Sequence, residues 1–408
     1  MKKEAKCIKI KNSYMKRISE VEKNYVLEAL NNEFNTSKNS VFNSKLETAF
    51  ALKFNSKYAI GHVNGTATLH TALVALGVGK GDEVIVPPLT MSSTSLAVLQ
   101  AGAIPVFADV DKLTFNICPN SIREKISNKT KAVMTVSLYG LSPDYDKIIE
   151  ICKEFNLGLV EDNAESFLSK YKGKYVGEFG DFSSFSFQAS KHLTCGEGGM
   201  LITNNVDLAN NARRFSSLGY AGVSATQGKI TRDDIQDPNY SRHVSLGFNY
   251  RMAEVCAAVA LGQLERSEEL VEARIQVAKL FDTATEGFDF IRKQSASNDY
   301  LNSYWAYSFA LLTDEPQIDW YRFRNIFKNN GGDGYYAAWK LSYFEPLFID
   351  EIQNFEGVNQ KYEKGLCPNA EFLQPRMVQL KTNYWNINEA IIQADILRKS
   401  LIQYSLKD

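Results

Sequence analysis

Between residues 58 and 166 the chain alternates short, nearly all-apolar runs with segments of helical periodicity. This alternation restricts the fold more than any other feature. "YAIGHV", "GDEVIVPP", "IPVFADVD", "KAVMTVSLYG" and "LGLVEDNAES" read as strands. The segments between them, "NGTATLHTALVALGV", "TSLAVLQAGA", "NSIREKISNKT" and "DYDKIIEICKEFN", read as helices. Strands this apolar predict an α/β fold, a mostly parallel sheet with helices on both faces. Ligands of such sheets sit beyond the carboxyl ends of the strands. There the chain places "NGT", "PPLT", "LYG" and "EDNAES".

Two amphipathic helices precede this region, one over residues 18 to 35 and one in "NSKLETAFALKFN". After residue 181 the pattern shifts to the β-like pieces "DFSSFSFQ" and "GGMLIT". The helices "NVDLANNARRFSSLG" and "AEVCAAVALGQLERSEELVEARIQVAKLF" follow, the second as one long helix. Between them "GVSATQGKITRDDIQDPNYSRH" is too long for a simple connection. Past about residue 285 come β-like "SYWAYSFALL", a helix, an aromatic-rich loop "GGDGYYAAWKLSYFEPLF" and a closing helix "NEAIIQADILRKSLIQYSL". The expected division is a large domain over 1–270, including the N-terminal helical segment, and a smaller α+β domain over 271–408.

Composition narrows the class of function. Lys+Arg of 46 against Asp+Glu of 47 gives a net charge of −1, so the totals imply no polyanion-binding surface and no nucleic-acid partner. Six scattered cysteines without a Cys-x-x-Cys and four unpaired histidines argue against a metal cluster or a disulfide framework. No apolar run approaches the roughly 20 residues that cross a bilayer, and the basic start lacks a signal-type apolar core. The expectation is a cytoplasmic protein with no membrane partner.

Three features then bear on chemistry. Asp162 ends the strand "LGLVED", as either a helix cap or a partner for a cation. Lys191, in "SFQASKHLTCGEGGM", is by itself an ordinary surface charge. The turn "NGTATLH" offers Gly65 and Thr66 at a helix start, which is either a simple capped terminus or an anion cradle. By contrast, "GVGKGDE" ends a helix and leads into a strand, the reverse of a phosphate loop. A lysine, a strand-end aspartate and an anion cradle together are what pyridoxal 5′-phosphate (PLP) requires. The amine forms a Schiff base with the aldehyde, the aspartate keeps the pyridine nitrogen protonated, and the cradle takes the phosphate.

The ordered set "SKLETAFALKFNSKYAIGHVNGTATLHTAL", "GDEVIVPPLT", "AGAIPVFADVD", "SLYG", "VEDNAESF", "SFSFQASKHLTCGEGGMLIT" and "GFNYRMAEVCAAVALGQLER" resembles the DegT/StrS family of sugar aminotransferases, of the fold-type I PLP superfamily. The likeness covers nearly the full length. It implies Lys191 as the Schiff-base lysine and Asp162 as partner of the pyridine nitrogen. Glu165, where many members have Gln, would approach the ring hydroxyl, and Gly65, Thr66 and Ser186 would hold the phosphate. Asn249 would reach the phosphate of a neighbouring subunit, which implies a homodimer with shared sites. Arg251 would meet an anionic group there or form a structural salt bridge.

Two departures stand out. Met91 occupies the place of an aromatic that stacks on the pyridine ring, and a thioether can also cover a ring face. Ser137 replaces a frequent histidine, and no role is carried onto it. His192 sits one residue out of register with the Schiff-base position. Adjacent side chains of an extended segment face opposite sides, so His192 is expected to point away and to be structural. A related dehydratase branch has histidine in the lysine's own place.

The resemblance implies a transaminase moving an amino group from L-glutamate to a keto sugar. The chain's ending leans toward an unlinked keto sugar, such as an octulosonate or a cyclitol, for polysaccharide, lipopolysaccharide or aminosugar synthesis. A nucleotide-linked 3- or 4-keto-6-deoxy sugar is the alternative. A PLP-dependent sugar dehydratase and a PLP- or sugar-sensing regulator are the further rivals. Tyr335, Tyr336, Trp339 and Lys340 would line a sugar pocket, with aromatic packing of the small domain an equal reading for the first three.

Overall fold

Runs of β-branched and aromatic residues bounded by turns build the expected sheet. The computed structural model describes residues 15–31, 41–228 and 230–406. Seven strands lie edge to edge in the order Tyr58–His62, Gly199–Thr203, Phe182–Ser186, Gly158–Asp162, Thr130–Val136, Glu83–Val86 and Ile104–Phe107. Gly199–Thr203 runs antiparallel to both its neighbours, and the other six strands share one direction. Val84, Ile85, Val86, Val133 and Val160 are wholly buried, as strands covered on both faces must be.

The helix Gly65–Ala75 packs against the sheet and against helices Ser93–Gln100 and Val206–Phe215. Nine of its eleven residues are buried, so it is a fixed element rather than a solvent-washed one. The first helix spans Glu20–Asn31, and the rest of the expected stretch to residue 35 lies outside the described residues. The second spans Val41–Lys53.

The long helix expected over 253–281 is two helices, Glu254–Glu265 and Ser267–Ala284. They break at Arg266, whose φ of −106° and ψ of 11° leave the helical region. Its guanidinium is held at 3.0 Å by Glu22 and also reaches the carbonyls of Lys16 and Arg17. Periodicity continues across the break, so no sequence pattern marks it.

A second sheet is antiparallel, with Ala306–Leu311 between Ile291–Lys293 and Met377–Lys381. Helices Ser267–Ala284, Pro316–Asn329 and Ile387–Ser405 pack around it. Val271 and Ile275 join the core of the large sheet, whereas Val277, Ala278 and Phe281 join that of the small one. The changeover between the two cores thus falls inside the helix Ser267–Ala284. Among the described residues no helix is long and apolar enough to cross a membrane.

Candidate active site

Parallel strands deliver the site because their ends stop side by side. Register pairing sets Val136 beside Asp162 and Asp162 beside Ser184. Beyond these ends lies a cavity of about 510 Å³. Gly65, Thr66, Met91, Asp162, Glu165, Ser186 and Lys191 line it, so seven of the eight expected cofactor positions converge.

Asp162 is the buried floor of the cavity. Its carboxylate accepts from the Thr94 hydroxyl at 3.0 Å and from the Ala164 N–H at 3.1 Å. No helix begins directly after Asp162, so the helix-cap alternative left by the sequence does not hold: the Ala164 bond is a local turn bond, and the residue faces the cavity. Burial raises the Asp162 pKa, opposed by those two hydrogen bonds and by the charge of Lys191. A carboxylate in that condition is stabilised by a further cation, and a protonated ring nitrogen is such a cation.

Lys191 Nζ lies 3.2 Å from Glu165 Oε1 and 4.5 Å from the centre of the Trp305 ring. The other Glu165 oxygen accepts from the Tyr139 N–H at 3.2 Å. Burial raises the Glu165 pKa, and Lys191 and the Tyr139 bond oppose the rise. Tyr139 holds this position in a left-handed conformation, φ 58°, which is costly for a residue with a side chain. Its hydroxyl accepts from the Gln379 amide at 2.9 Å, which ties the loop to the second sheet.

The anion cradle is built by close approach. Asn64 caps the helix by accepting from the Ala67 N–H at 2.8 Å, and Gly65 and Thr66 follow at the cavity wall. A Cβ on Gly65 would stand 2.8 Å from Ser186 Cβ. A Cβ on Gly199 would stand 2.7 Å from the Asn64 carbonyl oxygen. Two missing side chains thus let the turn lie on the sheet, with the Ser186 hydroxyl beside it and the helix dipole aimed at the cavity. A strand-end carboxylate, an amine and a helix-terminus cradle in one cavity fit PLP. Asp162 would meet its ring nitrogen, Lys191 its aldehyde, and Gly65, Thr66 and Ser186 its phosphate. Met91 lines the same cavity and is 49% exposed, free to cover a ring face.

His192 points the other way. It is buried, with Nε2 3.0 Å from the Ser303 carbonyl, and burial drives its pKa well below the usual value. Ser137 donates to Asn163 at 2.9 Å, away from the cavity lining. Asn249 is exposed and Arg251 half-buried, and neither lines the cavity of its own chain. Arg251 instead borders a separate hollow with Tyr220 and Arg242. Tyr335 is in the aromatic core around the second sheet, its hydroxyl donating to the Trp320 carbonyl at 3.0 Å. Trp339 lines the cavity, while Lys340 is exposed and does not. Tyr336 borders a neighbouring cavity of about 550 Å³, which shares Ser190, Trp305 and Trp339 with the first.

Sequence reasoning missed Trp305, Thr94 and Gly199. The first two sit inside ordinary strand-like and helical runs that give no signal. Gly199 carried one, since a glycine inside a strand marks a close backbone approach.

Comparison with known proteins identifies the family. The profile of the DegT/DnrJ/EryC1/StrS aminotransferase family matches residues 16–396. The chain is 36% identical over 379 residues to the GDP-perosamine synthase of Escherichia coli O157:H7, covering 93% of this chain and 95% of the relative. It is 32% identical to the GDP-perosamine synthase of Vibrio cholerae, over 79% of this chain and 86% of that one. A solved aminotransferase from Psychrobacter cryohalolentis superposes with a TM-score of 0.84 at 27% identity, covering 95% of this chain and 98% of the other. The chain belongs to the DegT/DnrJ/EryC1/StrS aminotransferase family and is a PLP-dependent sugar aminotransferase of fold type I.

Proposed function

We propose that the chain transfers an amino group from L-glutamate to a keto sugar, with Lys191 as the reacting amine. The observation that carries this reading is Lys191 Nζ at 3.2 Å from Glu165, in a cavity whose floor is Asp162. When bound, PLP supplies an aldehyde that takes up amines and a ring that stores electrons from the neighbouring carbon. Lys191 takes a proton from the donor's α-carbon and, in the return half-reaction, gives one to the former carbonyl carbon of the sugar. Glu165 holds the ammonium form in reach of that carbon. Asp162 would set the charge at the ring nitrogen, and Gly65, Thr66 and Ser186 would anchor the phosphate.

The acceptor we propose is nucleotide-linked. Support comes from the two relatives named GDP-perosamine synthases and from the neighbouring cavity of about 550 Å³, which offers room for the part that does not react. An unlinked octulosonate-type sugar or a cyclitol is the competing acceptor, favoured by the ending "GGDGYYAAWKLSYFEPLF".

The working unit we propose is a homodimer, in which Asn249 and Arg251 serve the neighbouring site. Val244, Leu246 and Phe248 are exposed directly before Asn249, an apolar stretch that a second copy would cover. A mass-spectrometric screen of nucleotide-linked and unlinked keto sugars, with glutamate or glutamine as donor, tests the reading. Amination of a linked sugar with glutamate is expected. Turnover of unlinked sugars alone overturns the acceptor, and absence of any amination overturns the reaction.

A further inference from the structure

Arg274 lies in the helix Ser267–Ala284 and is 1% exposed. Among the described residues no carboxylate faces it, and burial together with the charge of Arg17 lowers its pKa to about 9. A buried cation without a counter-carboxylate is costly to keep, and a methionine would fill similar space without that cost. Its partners are backbone carbonyls of the segment that carries Lys191. Nη2 donates to the Ser190 and Lys191 carbonyls at 3.0 and 3.2 Å. Nη1 donates to the Trp305 carbonyl at 3.0 Å and to the Thr382 hydroxyl at 3.2 Å.

Trp305 closes the arrangement. Its indole N–H donates to the Ser190 carbonyl at 3.1 Å, and its ring lies 4.5 Å from Lys191 Nζ. Arg17 adds donors to the Ala189 and Lys191 carbonyls. The rigid fork of one guanidinium thus ties the lysine's backbone to the residue whose ring flanks its amine, which a flexible point charge does not do.

We propose that Arg274 is a positioning residue: by bridging the Lys191 segment and Trp305 across the two sheets, it fixes where the Lys191 amine stands in the cavity. The proposal rests on Lys191 being the reacting amine. Arg274 borders the neighbouring cavity of about 550 Å³ but is only 1% exposed, its guanidinium engaged by the Ser190, Lys191 and Trp305 carbonyls and the Thr382 hydroxyl.

The test is Arg274→Met in the full-length chain, read in two ways. In cofactor-free protein, labelling of Lys191 by trinitrobenzenesulfonate, followed by peptide mass spectrometry, is expected to quicken about fivefold as the amine loosens. Labelling of the exposed Lys147 should stay as in the parent. In the loaded enzyme kcat is expected to fall about tenfold with KM within about twofold. Unchanged Lys191 labelling and kcat in a folded Arg274→Met variant overturn the proposal. If that variant does not fold, Trp305→Phe removes the indole donor to Ser190 and is expected to quicken labelling about threefold; unchanged labelling there overturns the proposal equally. Borohydride fixation in the parent protein, with Lys191→Ala as the blank, keeps the two readings apart. Cofactor fixed on another lysine sinks the role of Lys191, whereas the labelling rates still report on Arg274.

Discussion

Substituting Gly65 by alanine tests the phosphate cradle through a contact whose size is known. The new Cβ would stand 2.8 Å from Ser186 Cβ and 3.2 Å from its Oγ. Packed carbon atoms rest at about 3.5–4.0 Å, so the turn and the strand end must part by about 0.7 Å or more. Overpacking of this kind costs about 1–3 kcal/mol. The better helix propensity of alanine returns up to about 1 kcal/mol. A net loss of about 1–2 kcal/mol predicts a melting temperature lower by about 2–5 °C. The cofactor suffers separately, because the turn that moves carries the N–H groups meant for the phosphate. Losing one charge-assisted hydrogen bond costs about 1.5–3 kcal/mol, which is about a tenfold or larger rise in the Kd for PLP. Fluorescence titration with PLP and a thermal melt of the cofactor-free protein measure the two effects. Gly79→Ala is the control, since nothing lies within 4 Å of its Cβ. A lowered melting temperature with an unchanged Kd would refute the cradle and leave Gly65 as a packing residue.

Other expectations concern Asp162, His192 and His62. Asp162→Asn removes the charge facing the ring nitrogen and should lower kcat by about a hundredfold or more while the cofactor still binds; a steady-state assay showing near-normal kcat contradicts that role. His192→Leu leaves the Ser303 carbonyl unpaired and should cost about 1–3 kcal/mol in chemical unfolding, with kcat within about threefold; collapse of kcat at unchanged stability makes His192 catalytic instead. His62 is fully buried between the Ile60 carbonyl and the Thr71 hydroxyl, and burial lowers its pKa to about 4. Its folded value lies below its unfolded value of about 6.5, so the unfolded chain binds the extra proton between those limits. Stability is then full above about pH 6.5 and falls as the pH drops toward 4, by about 3 kcal/mol from this group. Urea unfolding at pH 7 and pH 5 together with an NMR titration checks this, and an imidazole that titrates near 6.5 in the folded protein contradicts it.

The large sheet was legible because its strands are apolar on both faces and end in turn chemistry, so "GDEVIVPP" and "KAVMTVSLYG" could hardly be anything else. The cavity was legible for the same reason: strand ends collect ligands, and Asp162 and Ser186 are strand ends. What escaped depends on partners far away in sequence. The break at Arg266 follows from Glu22 and from the Lys16 and Arg17 carbonyls, which no local window contains. The second sheet's outer strand Ile291–Lys293 is only three residues long and half-buried, with no alternation to mark it. Trp305 looked like one more aromatic of a core strand, and only the fold turns it toward Lys191. Tyr335 and Tyr336, adjacent in sequence, part company because one faces the core around the second sheet and the other the neighbouring cavity.

Reduction of the PLP-loaded protein with borohydride, then peptide mapping by mass spectrometry, tests the central claim most directly. The expected result is the mass of the reduced cofactor on the peptide carrying Lys191, absent after prior treatment with L-glutamate. Cofactor fixed to a different lysine, or fixation that glutamate leaves unchanged, would contradict the account.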